Sequence, residues 1–322
     1  MVRCSLVLLI IGLCLTQSPA QERYLDPLFE EINQSTYTYA QKENEDLQLD
    51  VYMPENDTEK MRPLLLYVHG GGFSGGQRDS QGIVDFGRAM ASQGYVVASI
   101  SYSLIMKGVG FGCAVPAHEK KKAFISSAQD IARATIFLTK KKDELGIDPQ
   151  EIVLLGSSAG AEAILHAAYW PEAIKEGGQP LLLSGFRYAG LISMAGALVT
   201  LDWVTEDSAI PSQFFHGTCD NLVPYGAAPH HYCDPAHPGY MPLFGGQSIS
   251  EKLRALGKPF YLYTACGGRH EWAGKPMGGN RSEITDFLYH DVLMGEKRQI
   301  NQVVDTGQEP CPDHYPEFNF CE

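Results

Sequence analysis

The sequence predicts one α/β domain with a mostly parallel central sheet and helices on both faces. Its short apolar runs, such as 64–68 and 95–102, are continuous rather than alternating, which is typical of strands buried on both faces. These runs alternate with segments of helical spacing, the order expected of parallel strand–helix–strand units. No repeat, linker or low-complexity segment divides the 322 residues, so a single domain over 21–322 is the simplest interpretation.

Apolar runs and helical spacings assign the individual elements. Residues 46–53 alternate apolar and polar side chains, which predicts a half-buried strand at a sheet edge. Gly94 and Gly146 each follow a helical pattern and are expected to end it. Strands are predicted over 46–53, 64–68, 95–102, 152–155, 188–195, 213–217 and 259–265. Helices are predicted over 80–93, 119–145, 162–168, 248–256 and 283–293, and 298–322 is assigned to a C-terminal tail.

The charge of the chain limits the classes of partner. With 38 acidic and 25 basic residues the formal charge is −13, whereas a nucleic acid backbone demands a basic face. The basic clusters are the lysine runs 120–122 and 140–142, which fall in a helical pattern and are expected to line a solvated helix face. The sequence therefore predicts no nucleic-acid partner, and it leaves the oligomeric state open.

The first twenty residues are typical of a cleaved signal peptide. Arg3 supplies a positive start, 6–15 is apolar, and Ser18-Pro19-Ala20 resembles a cleavage site. The apolar run is short for a bilayer span, so stable membrane insertion is not expected. These features predict a secreted or periplasmic protein that begins after Ala20.

The cysteines support an exported protein. Cleavage after residue 20 would remove Cys4 and Cys14 and leave six of the eight cysteines. An even number in an exported chain favours disulfides, and six cysteines allow 15 pairings. The pairing that we predict is Cys311 with Cys321, which would close a proline-rich tail.

A Gly-x-Ser-x-Gly motif follows the buried run 152–155. The order of buried strand, glycine-flanked Ser158 and helical segment 162–168 is typical of a nucleophile elbow, a tight turn that exposes a serine hydroxyl. Gly156 and Gly160 are expected where a Cβ would collide with neighbouring backbone. The helix would direct its N-terminal amides toward an anion formed beside Ser158.

A serine nucleophile needs a base, a carboxylate that orients the base, and donors for the oxyanion. The donors are expected in the loop His69-Gly70-Gly71-Gly72, which follows strand 64–68 and whose backbone N–H groups can turn inward beside the amide of Ala159. This glycine-rich loop lies upstream of the elbow, as the chain order of the predicted fold requires.

The acid and the base are expected on loops after the later strands. Asp220 lies just beyond strand 213–217, and His270 follows strand 259–265 in a loop with paired glycines. Three rival carboxylates precede strand 213–217 and would lie at its other end: Asp202, Glu206 and Asp207. Two further histidines are expected to pack or to make local hydrogen bonds: His166 and His216.

Together the motifs HGGGF, GSSAGA, HGTCDNLVPY and GGRHEW resemble the α/β-hydrolase superfamily. Within it, the chain is similar to secreted carboxylesterases of the hormone-sensitive-lipase-like and feruloyl/acetyl esterase groups. The resemblance covers residues 45 to 295, and four motifs in order make it specific to the superfamily but not to a substrate. The site residues that it implies are the nucleophile Ser158, the acid Asp220, the base His270, and the oxyanion donors Gly71, Gly72 and Ala159.

The resemblance implies two-step acyl transfer through an acyl-enzyme on Ser158, with no metal or organic cofactor. Its substrates would be short-chain or aromatic carboxylic esters, free or linked to polysaccharide, with acetyl and feruloyl esters of plant polysaccharides as candidates. In some feruloyl esterases a cysteine before the nucleophile forms a disulfide, but Ser157 stands there in this chain.

Two other functions stay open. A serine peptidase of the prolyl-oligopeptidase type has similar acid and histidine motifs, although this chain lacks room for a large propeller and has Ala161 where a second glycine is frequent. A non-catalytic binding protein with a hydrolase fold is the other alternative. Such proteins tend to lose a triad member, and every part is present here.

Two insertions are candidates for the walls of the substrate pocket. The segment 222–246 carries several histidines, Cys233 and Asp234, so it could also hold a transition metal. Its spacing matches no standard zinc pattern, and a pocket wall is the preferred interpretation. The segment 103–118 is predicted to form the opposite wall or a cap.

Overall fold

A nine-stranded sheet forms the centre of the molecule. The computed structural model describes residues 22–42, 45–309, 311 and 321. The strands are β1 (Ile32–Lys42), β2 (Glu45–Pro54), β3 (Arg62–Val68), β4 (Val96–Ile100), β5 (Ile147–Ser157), β6 (Lys175–Glu176), β7 (Gln179–Pro180), β8 (Gly190–Met194), β9 (Ala197–Leu198), β10 (Ser212–Gly217), β11 (Ala227–Pro229), β12 (Pro242–Gly245), β13 (Phe260–Cys266) and β14 (Gln299–Asp305). The α-helices are α1 (Gln81–Ser92), α2 (Ala117–Lys140), α3 (Lys142–Leu145), α4 (Ala159–Tyr169), α5 (Gly246–Ala255), α6 (Pro276–Gly279) and α7 (Arg281–Phe287).

The order of strands in the large sheet is β1-β2-β4-β3-β5-β8-β10-β13-β14. β2 pairs antiparallel with both β1 and β4, and every later pair in the sheet is parallel. The predicted fold class, a mostly parallel sheet between helices, is therefore confirmed. The predicted edge position of the strand over 46–53 is wrong, because β1 covers that edge of β2.

Helices cover both faces of the sheet. β3 shows this directly, since Leu64 and Leu66 belong to one hydrophobic core whereas Leu65 and Tyr67 belong to the other. Alternate residues of a strand point to opposite faces, so a strand buried on both sides must be apolar throughout. Residues of α2 and α4 fill the first core, and residues of α1 and α7 fill the second.

The predicted helix ends hold at the glycines. Gly94 and Gly146 both have left-handed backbones, with φ of 103° and 61°, which a glycine adopts without a steric cost. The long helical segment is split into α2 and α3, and it begins at Ala117. The prediction of a solvated lysine run over 120–122 is wrong for Lys120, which is fully buried.

Two strands of the large sheet lie outside the predicted set, β1 and β14. The prediction assigned residues 298–322 to a tail, whereas 299–305 form β14 and pair parallel with β13. Side chains of β14 alternate between exposed and partly exposed, so the segment has no continuous apolar run to indicate a strand. β1 likewise has no continuous apolar run, because most of its side chains are exposed.

Six cysteines form three disulfides, and none of them joins neighbours in the sequence. The bonds are Cys113–Cys233, Cys219–Cys311 and Cys266–Cys321. The predicted pair Cys311–Cys321 is therefore wrong, because Cys311 bonds to Cys219, just after β10, and Cys321 bonds to Cys266, at the end of β13. The predicted signal peptide lies outside the described residues. Across the described part of the chain, no helix combines the length and apolar character needed to cross a bilayer.

Candidate active site

Four loops meet at one edge of the sheet. They follow β3, β5, β10 and β13, which run parallel, so their carboxyl ends share an edge. In open α/β sheets this edge is where ligands bind. Each motif singled out in the sequence lies on one of these four loops.

The turn between β5 and α4 has the geometry of a nucleophile elbow. Ser158 has φ 52° and ψ −121°, a left-handed conformation that costs a non-glycine residue free energy. A Cβ on Gly160 would lie 2.1 Å from the carbonyl oxygen of Val68, and one on Gly156 would lie 2.4 Å from that of Gly160. The reason given for both glycines is thus confirmed, because any side chain would collide with backbone.

The structure brings the three predicted triad residues into one hydrogen-bonded series. Oγ of Ser158 is 2.8 Å from Nε2 of His270, and Nδ1 of His270 is 2.8 Å from Oδ2 of Asp220. A carboxylate can only accept, so the proton of the imidazole lies on Nδ1 and Nε2 is left as an acceptor for the serine hydroxyl. The order of the contacts is that of a nucleophile, its base and an orienting acid.

Asp220 is completely buried and held from four directions. Its Oδ1 accepts the backbone N–H groups of Leu222 at 2.9 Å and Val223 at 3.0 Å, while Oδ2 faces the histidines. Burial by itself would raise the pKa of Asp220, but hydrogen bonds from His216 and His270 outweigh it and hold the pKa well below its usual range. The carboxylate therefore stays charged at neutral pH.

His216 contributes more than the sequence indicated. Its Nε2 lies 3.1 Å from the carbonyl oxygen of Val223 and 3.4 Å from Oδ2 of Asp220. A carbonyl only accepts, so Nε2 carries the proton and points it between these two oxygens. The expected local hydrogen bond is present, and the same N–H also approaches the acid. The spacing of four residues to Asp220 was the signal that could have indicated this.

The loop after β3 is folded tightly against the elbow. A Cβ on Gly70 would lie 2.9 Å from the carbonyl oxygen of Ser157, and Gly71 and Gly72 have φ of 118° and 61°. His69 stacks on Tyr102 with ring centroids 4.6 Å apart, and the Tyr102 hydroxyl donates to the His69 carbonyl. Glycine is required here by both the close approach and the positive φ.

The acid and histidine loops are joined to each other. The backbone N–H of Cys219 donates to the carbonyl of Gly268 at 2.8 Å, and that of Gly267 donates to Oγ1 of Thr218 at 3.0 Å. Two disulfides lie on these loops, since Cys219 immediately precedes Asp220 and Cys266 ends β13. Both bonds lead to cysteines that follow β14 in the chain, Cys311 and Cys321, so each of the two loops is covalently tied to a residue beyond that strand.

The two insertions are tied to each other. The disulfide Cys113–Cys233 joins 103–118 to 222–246, and the backbone N–H of Gly239 donates to the carbonyl of Cys113 at 2.9 Å. Cys233 is thereby removed from the set of ligands considered for a metal. Within the described ranges, no group of three or more His, Cys, Asp or Glu side chains is placed to hold a metal ion.

Glu162 is a buried carboxylate that the sequence analysis overlooked. It lies one turn after Ser158 in α4 and is 1% exposed. Burial raises the pKa of Glu162 to about 8, although the charges of His270 and Lys120 oppose this rise. The motif showed a glutamate after the elbow, but nothing in the sequence indicated that it faces inward.

Solved structures with this arrangement of sheet and helices include a propionate-bound esterase from Thermogutta terrifontis. It superposes with a TM-score of 0.57 at 18% identity, covering 81% of this chain and 93% of that one. The chain has the α/β-hydrolase fold. The same esterase phosphorylated by paraoxon superposes on this α/β-hydrolase fold with a TM-score of 0.55 at 18% identity, again over 81% of this chain and 93% of that one.

Sequence similarity to known families and curated proteins covers part of the chain. The profile of the BD-FAE family matches residues 49–176. Gut esterase 1 of Caenorhabditis elegans is 28% identical over 165 residues, which are 51% of this chain and 28% of that protein. A fumonisin B1 esterase of Sphingopyxis macrogoltabida is 32% identical over 124 residues, 37% of this chain and 22% of the relative. The chain thus spans less than a third of the length of these curated relatives.

Proposed function

We propose that this chain is a serine carboxylesterase that works through an acyl-enzyme on Ser158. The observation that carries the proposal is the unbroken series from Ser158 through His270 to Asp220, with both contacts at 2.8 Å. The α/β-hydrolase fold and the similarity to esterases support the same reaction class. In this proposal Ser158 is the nucleophile, His270 the base and Asp220 the acid that fixes the tautomer of the base.

The reaction proceeds in two steps. The hydroxyl of Ser158 attacks the ester carbonyl while Nε2 of His270 accepts its proton, and the alcohol leaves with that proton. Water then attacks the acyl carbon while Nε2 of His270 accepts its proton, the bond from that carbon to Oγ of Ser158 breaks, and His270 returns the proton to Oγ as the carboxylic acid leaves. The tetrahedral oxyanion of each step would be bound by the backbone N–H groups of Gly71, Gly72 and Ala159. Hydrogen bonds from preformed backbone donors need no metal or organic cofactor.

The proposed substrates are short-chain or aromatic carboxylic esters, either small molecules or groups attached to a polysaccharide. Acetyl and feruloyl esters of plant polysaccharides are the candidates of interest, because the motifs HGGGF, GSSAGA, HGTCDNLVPY and GGRHEW resemble those of feruloyl and acetyl esterases. We also propose export from the cytoplasm. Three disulfides among the described residues support an oxidising compartment, since such bonds are rare where thiols are kept reduced.

The function is tested with p-nitrophenyl esters of increasing acyl length, together with acetylated xylan and methyl ferulate. We expect hydrolysis of the short esters, and we expect paraoxon to block it with one phosphoryl group on Ser158, detected by peptide mass spectrometry. Cleavage of aminoacyl arylamides without ester hydrolysis would instead support a peptidase. No turnover of either class, with no labelling of Ser158, would support a binding protein.

The pH dependence of kcat/KM is expected to report the base. Burial lowers the pKa of His270, but its hydrogen bond to Asp220 and the charges of Asp220, Glu162 and Glu271 outweigh burial and raise it. The base must be neutral to accept a proton, so activity falls as the pH drops through this raised pKa. The acidic limb should therefore be centred above about 6.5, the usual value of a histidine. A limb centred below that value would contradict this assignment.

Removing the disulfide next to the acid is expected to impair catalysis more than stability alone explains. The variant Cys219→Ala with Cys311→Ala opens a loop of 92 residues, and its matched control, Cys113→Ala with Cys233→Ala, opens one of 120. Loop entropy depends weakly on length, so each should cost about 2–5 kcal/mol of stability. We expect the first pair to lower kcat, because it frees the acid loop, and the control to raise KM. Equal effects of the two variants on kcat and KM would contradict a role of the Cys219–Cys311 bond in holding the acid loop.

A further inference from the structure

A cluster of buried ionisable side chains lies beside the triad and has no part in the proposed reaction. Lys120 of α2 is 0% exposed, Glu162 of α4 is 1% exposed, and His230 of the 222–246 segment is 1% exposed. Burying such groups is costly unless they are paired. They come from three separate segments, which suggests that they hold those segments in place.

The contacts fix the protonation of His230. Nζ of Lys120 is 3.4 Å from Nδ1 of His230 and donates to the carbonyl of Gly239 at 3.2 Å. An ammonium only donates, so Nδ1 is the acceptor and the imidazole proton lies on Nε2. That proton faces Glu162, whose Oε1 is 3.3 Å from Nε2. The geometry falls outside that of a hydrogen bond, and Oε1 has no hydrogen-bond partner among the described residues. A small rotation of His230 would complete the series.

The cluster supports an unusual stretch of backbone. His231 and Tyr232 are successive non-glycine residues with positive φ, 55° and 51°. Left-handed conformations of this kind persist when the surroundings impose them, and they gather at functional sites. Here the backbone N–H of His231 donates to the carbonyl of Leu222 at 2.8 Å, and the next residue but one is the disulfide-bonded Cys233. The chain is thus fixed on both sides of His231.

His231 adjoins both this cluster and the loop that carries Asp220, since its backbone N–H donates to the carbonyl of Leu222. The ring centroids of His231 and His230 are 4.3 Å apart. His231 is partly exposed, whereas His230 is buried. Burial lowers the pKa of His231 to about 3, and the charges of Lys120 and His270 add to that effect. The ring is therefore neutral near pH 7.

We propose that His231 is a specificity-determining residue that contacts the bound ester, and that Lys120, Glu162 and His230 are positioning residues that hold it beside the triad. This inference rests on the proposed esterase function. His231 limits the size of the substrate group that packs against it. Glu162 faces His230, and His230 contacts the partly exposed ring of His231. The buried cluster therefore acts on the substrate through His231.

The test compares two series of esters, one with a lengthening acyl group on p-nitrophenol and one of acetate esters with increasingly bulky alcohols. His231→Ala is expected to raise kcat/KM for the largest member relative to the smallest by roughly tenfold in one series, the scale of a change in pocket volume. The series that responds identifies the side of the ester that His231 contacts. An unchanged ratio in both series would overturn the proposal.

The positioning role is tested at Glu162. Glu162→Leu removes the carboxyl oxygen that faces His230 and should shift the same ratio in the same direction, while Glu162→Gln keeps an acceptor oxygen and should stay nearer to wild type. Glu162→Leu combined with His231→Ala should show no shift beyond that of His231→Ala alone, because both act through one side chain. Additive shifts would contradict the proposal that Glu162 acts through His230 on His231.

Glu151→Leu is the matched control. Glu151 also has a carboxyl oxygen without a hydrogen-bond partner in the described structure, and it lies on β5 about 20 Å before the elbow. It should leave the ratio unchanged whatever its effect on the thermal midpoint, and a purely structural Glu162 would behave in the same way. Wild-type turnover of p-nitrophenyl acetate distinguishes a failure of the proposed esterase function from a failure of the proposed role of His231. Its absence contradicts the esterase function, whereas turnover with unaltered ratios contradicts only the role of His231.

Discussion

Ser158→Ala is expected to lower kcat for p-nitrophenyl acetate by roughly 10⁴- to 10⁶-fold, while the protein keeps its thermal midpoint. The substitution removes the oxygen that attacks the acyl carbon in the proposed reaction. The remaining groups still polarise a carbonyl, so activity above the uncatalysed rate should persist. The substitution does not relieve the backbone strain at position 158, where φ is 52°, because the Cβ of alanine meets the same steric limit as that of serine.

Ser157 provides the control within the same motif. It immediately precedes Ser158, ends β5 and is 9% exposed, so Ser157→Ala makes the same chemical change one residue away. We expect that variant to hydrolyse p-nitrophenyl acetate at close to the wild-type rate and to remain sensitive to paraoxon. If Ser157→Ala lost activity as completely as Ser158→Ala, the assignment of the nucleophile would be wrong.

Asp220→Asn is expected to lower kcat by about 10⁴-fold, through the tautomer of the base. Oδ1 of Asp220 is held by the backbone N–H groups of Leu222 and Val223, so the amide oxygen of an asparagine must take that place. Its NH₂ group would then face Nδ1 of His270. Two donors cannot share a hydrogen bond, so the proton of the imidazole would move to Nε2 and leave no acceptor for Ser158.

The same variant should change the pH profile. The charge of Asp220 raises the pKa of His270, so its loss should move the residual acidic limb to lower pH. Asp202→Asn is the control, because Asp202 is an exposed carboxylate that precedes β10 and was a rival candidate for the acid. A loss of activity in Asp202→Asn comparable to that in Asp220→Asn would contradict the choice of acid.

The sequence was sufficient for the parts of the fold that have a strong local signal. Buried strands such as β3 are continuous apolar runs, and the elbow requires glycines at fixed offsets, so both could be located from the sequence. The loops carrying Asp220 and His270 followed from the chain order alone. Parallel strands bring their carboxyl ends together, and a residue just past such a strand is therefore placed without knowledge of any contact.

The failures have equally physical causes. In a run of three lysines on a helix, successive side chains point about 100° apart, so one of them can face inward, and only tertiary packing decides that it is Lys120. β1 and β14 lie at the edges, where half-exposed strands need few apolar residues. The role of Glu162 depends on a contact with His230, a residue of another segment, which no local pattern encodes.

The connectivity of the disulfides bears on how the protein must be made. Taken in chain order from Cys113, the six cysteines pair first with third, second with fifth, and fourth with sixth. If the chain is oxidised while it is being synthesised, Cys113 encounters Cys219 before its native partner Cys233 has been made. A non-native Cys113–Cys219 bond could then form. The native bonds therefore require that folding precede oxidation or that an isomerase reshuffle the early pairs. Production with a thiol–disulfide buffer or an isomerase should accordingly yield more active protein than oxidation by air alone.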